Sequence, residues 1–222
     1  MKRLHLFCGH YGSGKTSVAV NTALHLRRER DNVALADLDI VNPYFRAQDS
    51  AGALQQAGVR LICSEFANTN VDFPALPQEL YALTDDRRIT AVLDVGGDER
   101  GALALGRIAP AILAERDFEM LLVVNGYRPL TPDAAAVQEV RQEIEAACRL
   151  PFTGIVNNSN LGNETTAETV LDSLPFAEET ARVCGLPVVM TTVRDTLFPE
   201  LAGKIPNLFP LHIHHRILDE RT

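Results

Sequence analysis

Near its amino terminus the chain runs from the apolar stretch Leu4-His5-Leu6-Phe7-Cys8 into Gly9-His10-Tyr11-Gly12-Ser13-Gly14-Lys15-Thr16 and on into Ser17-Val18-Ala19-Val20. This is GxxxxGKT set between a strand and a helix, and few folds accommodate it. Its glycines let consecutive backbone N–H groups turn inward around phosphate oxygens, while the helix N-terminus adds its partial positive charge at the same point. The expected phosphate contacts are Gly9, Gly12, Ser13, Gly14, Lys15, Thr16 and Ser17. Of these, Lys15 reaches the β- and γ-phosphates and the Thr16 hydroxyl ligates magnesium.

Short apolar runs recur at 3–8, 33–37, 60–63, 89–94, 119–124, 152–157 and 188–192, with a weak eighth at 211–214. They do not alternate with polar residues, which predicts strands covered on both faces and joined by crossover helices. Residues 15–30 and 132–148 have helical composition, and the second opens on Thr131-Pro132-Asp133, predicting Pro in its first turn. Residues 162–183 read as a helix pair, and 74–77 and 204–210 as loops. The expectation is an α/β, three-layer P-loop NTPase fold with a mostly parallel sheet of seven or eight strands, built as a single nucleotide-binding domain over 1–222. With 222 residues, 46 % hydrophobic and 23 % charged, the chain can fill such a core.

The net charge of −8 opposes a broad nucleic-acid surface, because neutralising phosphates takes an excess of Lys and Arg. The start of the chain reads as a first strand rather than a signal peptide, and no apolar run approaches the roughly 18 residues that span a bilayer. The mixed-charge end, 213–222, does not make a membrane-surface helix. A cytoplasmic location is expected. Cys8, Cys63, Cys148 and Cys184 are far apart and lack metal-ligand spacing, so buried free thiols are expected.

Phosphoryl transfer to water needs carboxylates that hold the metal and orient the nucleophile. Asp37 and Asp39 stand at the carboxyl end of the second apolar run, and Asp94 ends the fourth, ahead of Gly96-Gly97. Ligands collect at that end of open α/β sheets. Asp94 is the better magnesium partner, with Thr16 and Asp37 as further metal residues; Lys15, Asp39 and Asp94 form the expected catalytic set. Each acid could instead cap a helix or sit in a solvated loop.

Together these residues resemble the MinD/ParA branch of P-loop ATPases, grouped with the cobyric acid synthase type of nucleotide-binding domain. The likeness covers most of the chain. It extends through Asp37-Leu38-Asp39, Asp94-Val95-Gly96-Gly97, the diverged turn 125–133, Gly154-Ile155-Val156-Asn157-Asn158 and 186–195. The resemblance implies that Asp39 positions the hydrolytic water and that Asn158, or failing it Asn157, recognises adenine. It also implies that backbone at Val193 and Arg194 packs on the base. An Asn side chain can donate to N7 and accept from the 6-amino group of adenine. Asn157-Asn158-Ser159-Asn160 lacks the Lys and Asp of a guanine reader, so ATP is preferred over GTP. Many relatives carry a second lysine just after the first loop glycine, reaching across a dimer; here His10 occupies that position. Arg100 or Arg128 could supply the cation instead, or be surface arginines.

Val41-Asn42-Pro43-Tyr44-Phe45-Arg46, following Asp39, reads either as a switch or partner-contacting loop or as one whose aromatics anchor in the core. His212 and His214 would share a strand face without the acids or cysteines of a metal site. The leading expectation is a slow ATPase switch that hydrolyses ATP to ADP and phosphate and uses ATP and Mg2+. Its partners are the nucleotide, a second copy of the chain and a protein client, with neither membrane nor nucleic acid. The alternatives are an ATP-dependent small-molecule kinase or ligase-like transferase, with its substrate near 42–46 and 98–100, and a metallochaperone-type GTPase.

Overall fold

The computed structural model describes residues 2–39, 47–63, 78–97 and 99–212, with only the backbone at 48, 49, 99 and 100. Among the described residues eight strands form one sheet: β1 (Leu4–Cys8), β2 (Val33–Leu38), β3 (Arg60–Cys63), β4 (Thr90–Val95), β5 (Phe118–Val124), β6 (Gly154–Asn157), β7 (Val188–Arg194) and β8 (Leu208–Leu211). Their order is β3-β2-β4-β1-β5-β6-β7-β8, and every pairing is parallel. The helices are α1 (Lys15–Leu26), α2 (Ala51–Ala57), α3 (Gln78–Asp85), α4 (Glu99–Gly106), α5 (Ala109–Glu115), α6 (Ala134–Cys148), α7 (Ala167–Asp172), α8 (Leu174–Cys184) and α9 (Phe198–Leu201).

Every residue of β1, β2 and β4 is buried, which explains why their sequences show no alternation. The pleat nonetheless sorts them. Leu4, Leu6, Cys8, Ala34, Ala36 and Leu93 join one core with residues of α4, α5 and α6, while Phe7, Leu35, Val92 and Val123 join a second core with residues of α1 and α2. The polar residue inside β1, His5, is accommodated by Glu119 on β5, whose Oε1 lies 2.6 Å from its Nδ1. Three of the four cysteines are buried free thiols, and Cys63 is half-buried. Among the described residues no helix is long and apolar enough to cross a membrane.

Three sequence expectations shift. The eighth strand covers Leu208–Leu211 rather than 211–214, so part of the expected loop 204–210 is strand; Ile213 and His214 lie outside the described residues. Pro210 obscured it, yet an edge strand tolerates proline because one row of its backbone groups faces away from the sheet. Helix α6 starts at Ala134, not in the Pro132 turn, because the Asp133 carboxylate accepts the Ala136 N–H and caps it. Helix α1 stops at Leu26 rather than 30. The loop 74–77 lies outside the described residues.

Candidate functional site

At the carboxyl ends of β1, β4 and β5, where chain order reverses across the sheet, the loop 9–14 turns into α1. Gly14 caps α1 in a left-handed conformation (φ 85°) and, having no side chain, makes no side-chain cap to the N–H groups of the first turn. A Cβ there would also come within 2.3 Å of the Asn158 Nδ2, so both backbone and space require glycine. A Cβ on Gly97 would strike the Gly9 carbonyl at 1.9 Å, so the loop after β4 packs directly on the phosphate loop. The helix therefore opens on an anion-binding N-terminus without an acidic residue in its first turn.

The buried charges gather beneath this loop. Thr16 donates its hydroxyl to Asp94 Oδ2 at 2.5 Å, while Asp94 Oδ1 is buried without a hydrogen-bond partner. Register sets Asp37 beside Asp94 on the adjacent strand. Lys15 Nζ lies 3.6 Å from Asp39 Oδ2, both side chains being under a tenth exposed. Burial pushes the Asp94 carboxyl up to about 7, aided by Asp37 and, less, Asp39, and opposed by Lys15 and the Thr16 hydroxyl. Such a cluster is short of positive charge. Magnesium fits it: the orphaned Asp94 oxygen and the Thr16 hydroxyl are hard oxygen donors at one point.

Asp37, expected as a metal residue, holds backbone with both carboxylate oxygens: its Oδ1 accepts the Asp39 N–H at 3.0 Å and its Oδ2 accepts the Ala47 N–H at 3.2 Å. Among the described residues no group of three or more His, Cys, Asp or Glu is disposed to hold a metal alone. A magnesium ion here would draw its other ligands from phosphate oxygens and water.

A cavity of about 430 Å³ extends from this point, lined by Gly12, Gly14, Lys15, Thr16, Ser17 and Arg128 at one end. Asn158, Ser159, Asn160, Asn163, Thr192, Val193 and Arg194 line it further along. Asn158 serves chiefly as a strap. Its Nδ2 donates to the Ser13 carbonyl at 2.6 Å and its Oδ1 accepts from Thr192 at 2.5 Å, fastening the phosphate loop to β7. Asn157, the second expected base residue, is fully buried, bonded to Ser173 and the Ser159 N–H, and outside the cavity lining.

Gly9, which precedes this cavity, packs against the Val123 carbonyl, and Ser13 is buried beneath the loop. His10 turns its Nδ1 to the Tyr11 carbonyl (3.1 Å) and does not line the cavity, whereas Arg128 donates its Nε to the Gly12 carbonyl at 2.9 Å. Sequence reasoning missed Asn163, Thr192 and Ser159; the Asn-rich stretch 157–163 signalled the first and last, and nothing signalled Thr192. The segments 41–46 and Asp98 lie outside the described residues, as does the Arg100 side chain. His212 pairs with Asp195, its Nδ1 2.7 Å from Oδ2, away from this cavity.

No protein-family model matches the sequence, and no curated protein matches it. Solved structures do resemble it. Cell division protein FtsY from Thermotoga maritima shares 18 % identity, with 86 % of this chain and 61 % of that one aligned and a TM-score of 0.54. FtsY from Mycoplasma mycoides shares 15 % (87 % and 60 % aligned, TM-score 0.53). The signal recognition particle receptor FtsY from Elizabethkingia anophelis, in complex with GDP, shares 16 % (87 % and 58 % aligned, TM-score 0.50). The chain thus spans about 60 % of the length of the first of these neighbours. At such identity the likeness is one of fold: an α/β P-loop NTPase fold with an eight-stranded, all-parallel sheet.

Proposed function

We propose that this chain is a magnesium-dependent nucleotide switch that binds a purine nucleoside triphosphate, GTP by preference, and hydrolyses it slowly. One observation carries the reading: the Thr16 hydroxyl meets one oxygen of Asp94 while the other oxygen is buried and unpartnered, directly beneath the phosphate loop. Lys15 would leave Asp39 for the β- and γ-phosphates, and Asp39 would then orient water. Because Asp37 holds the N–H groups of both Asp39 and Ala47, this exchange would carry the nucleotide state to the backbone at 39 and 47. Bound magnesium would neutralise phosphate charge beside Thr16 and Asp94. A second copy of the chain and a protein client remain part of the proposal, as does the MinD/ParA-like lineage.

The preference for GTP is supported by the GDP complex of the fold neighbour from Elizabethkingia anophelis. Asn158 no longer speaks for ATP: its Oδ1 accepts from Thr192 and its Nδ2 donates to the Ser13 carbonyl, so the donor–acceptor pair that would match adenine is already engaged. ATP is the second reading, favoured by a cavity lining without Asp or Glu among the described residues. Calorimetric titration with GDP, GTP, ADP and ATP, with and without magnesium, tests both: the native chain should bind and Lys15→Ala should bind on the order of 100-fold more weakly. Unimpaired binding by Lys15→Ala would remove the phosphate-site assignment.

A further inference from the structure

The far end of the cavity is rich in polar side chains, but almost all are committed. Asn160 donates to the Asn158 carbonyl (2.7 Å) and accepts from the Gly162 N–H (3.1 Å). Thr165 donates to the Gly162 carbonyl and accepts from the Leu161 N–H, at 2.8 and 2.9 Å. Ser159 accepts from the Gly126 N–H at 2.9 Å, and Thr192 is spent on Asn158. The adjacent acid, Asp195, is bound to His212 and the Thr196 N–H and lines a different cavity. Re-pairing any of these with a ligand would dismantle a turn or a strap. Two cavity-lining side chains differ: Arg194 and Asn163 are hydrogen-bonded to each other, Nη2 to Oδ1 at 2.6 Å, joining the end of β7 to the loop after β6.

We infer that Arg194 and Asn163 choose the base, and that they select a 6-oxopurine over a 6-aminopurine. This rests on the reading of the cavity as a purine nucleotide site. Arginine donates and never accepts, so its fork matches the adjacent O6 and N7 acceptors of guanine or hypoxanthine and finds nothing to pair with in the 6-amino group of adenine. When Arg194 swings to the base it releases Asn163 Oδ1, which then accepts from N1–H of the same ring, as a carboxylate would elsewhere. One side-chain hydrogen bond is exchanged for up to three. An adenine nucleotide offers Arg194 only N7 and has no N1–H for Asn163, so opening the Arg194–Asn163 bond exchanges one hydrogen bond for one and gains nothing. The site thereby reads guanine without an acid, the residue type whose absence from the sequence pointed to adenine.

The test is displacement of a fluorescent nucleotide by GDP, IDP and ADP from the native chain, Arg194→Ala, Arg194→Lys and Asn163→Ala. The native protein should prefer GDP and IDP to ADP by about 10-fold or more, the discrimination of one good bidentate pair. Arg194→Ala should lose most of that preference by weakening GDP and IDP while ADP is unchanged; Arg194→Lys, a donor without the fork, should keep part of it. Asn163→Ala should weaken GDP and IDP together and leave ADP alone. Equal affinity of the native chain for GDP and ADP would overturn the inference, as would an Arg194→Ala variant that weakens all three alike. Absence of nucleotide binding by the native chain, or undiminished binding by Lys15→Ala, would instead remove the underlying reading.

Discussion

The two ends of the cavity are built on opposite plans. At the phosphate end, Lys15, Thr16, Asp39 and Asp94 are buried, an acid is held up near 7, and one of its oxygens has no partner. At the far end Asn163 is exposed and Arg194 half-buried, and the polar groups satisfy one another. Unsatisfied buried groups cost free energy in the empty protein and return it when a ligand arrives, so the first end supplies affinity. Exposed, self-paired groups return little on binding but can reject a wrong partner, so the second supplies identity.

Removing Lys15 should break the first end most severely: Lys15→Ala should lower affinity for every nucleotide on the order of 100-fold, the scale of a lost charge-assisted contact, without altering the ratio between bases. A change in that ratio would blur the division between the ends. Asn158→Ala tests the strap between them. Two buried hydrogen bonds disappear and the Ser13 carbonyl loses its Asn158 donor, while the Thr192 hydroxyl keeps only its long contact to the Asn157 carbonyl, so thermal or denaturant unfolding should show a loss of about 2–4 kcal/mol. Nucleotides should weaken together; a selective loss of one base would make Asn158 a reader after all.

Asp94→Asn separates charge from shape. The folded Asp94 titrates near 7, above its ordinary 3.8, so the fold binds an extra proton between those values. Its contribution is full below about 4 and is lost as pH rises through about 7. The nucleotide-free Asp94→Asn variant should therefore melt higher than the native chain at pH 8, with the difference shrinking as pH falls through about 7 and closing near 4, and magnesium should no longer strengthen nucleotide binding. The smallest effect belongs to the exposed Arg128, whose bond to the Gly12 carbonyl steadies the loop from outside. Arg128→Ala should weaken nucleotides by about threefold, as expected for one exposed hydrogen bond.

Most of the sheet could be read from the chain alone. Seven strands fall within two residues of expectation at either end, because buried parallel strands must be continuous apolar runs. The eighth slipped because an edge strand carries a weaker signal and here contains Pro210. Within the site, GxxxxGKT announced itself because consecutive backbone groups must bend around one ligand, so their chemistry is contiguous in sequence. Asp94 was legible for a related reason: an acid closing an apolar strand has few places to go.

Elsewhere the residue types were visible but their partners were not. Asn158 carried the right amide for a base, and only the folded chain shows it turned toward Ser13 and Thr192. Asp37 looked like a ligand and binds backbone at 39 and 47. Arg194 and Asn163 lie 31 residues apart, and nothing in the spacing brings them together. The sequence alone determined the parallel sheet and the phosphate loop, since both depend on local periodicity and contiguous backbone. The tertiary structure decided which polar groups were already spent and which remained for a ligand, because hydrogen-bond satisfaction is settled between segments distant in the chain.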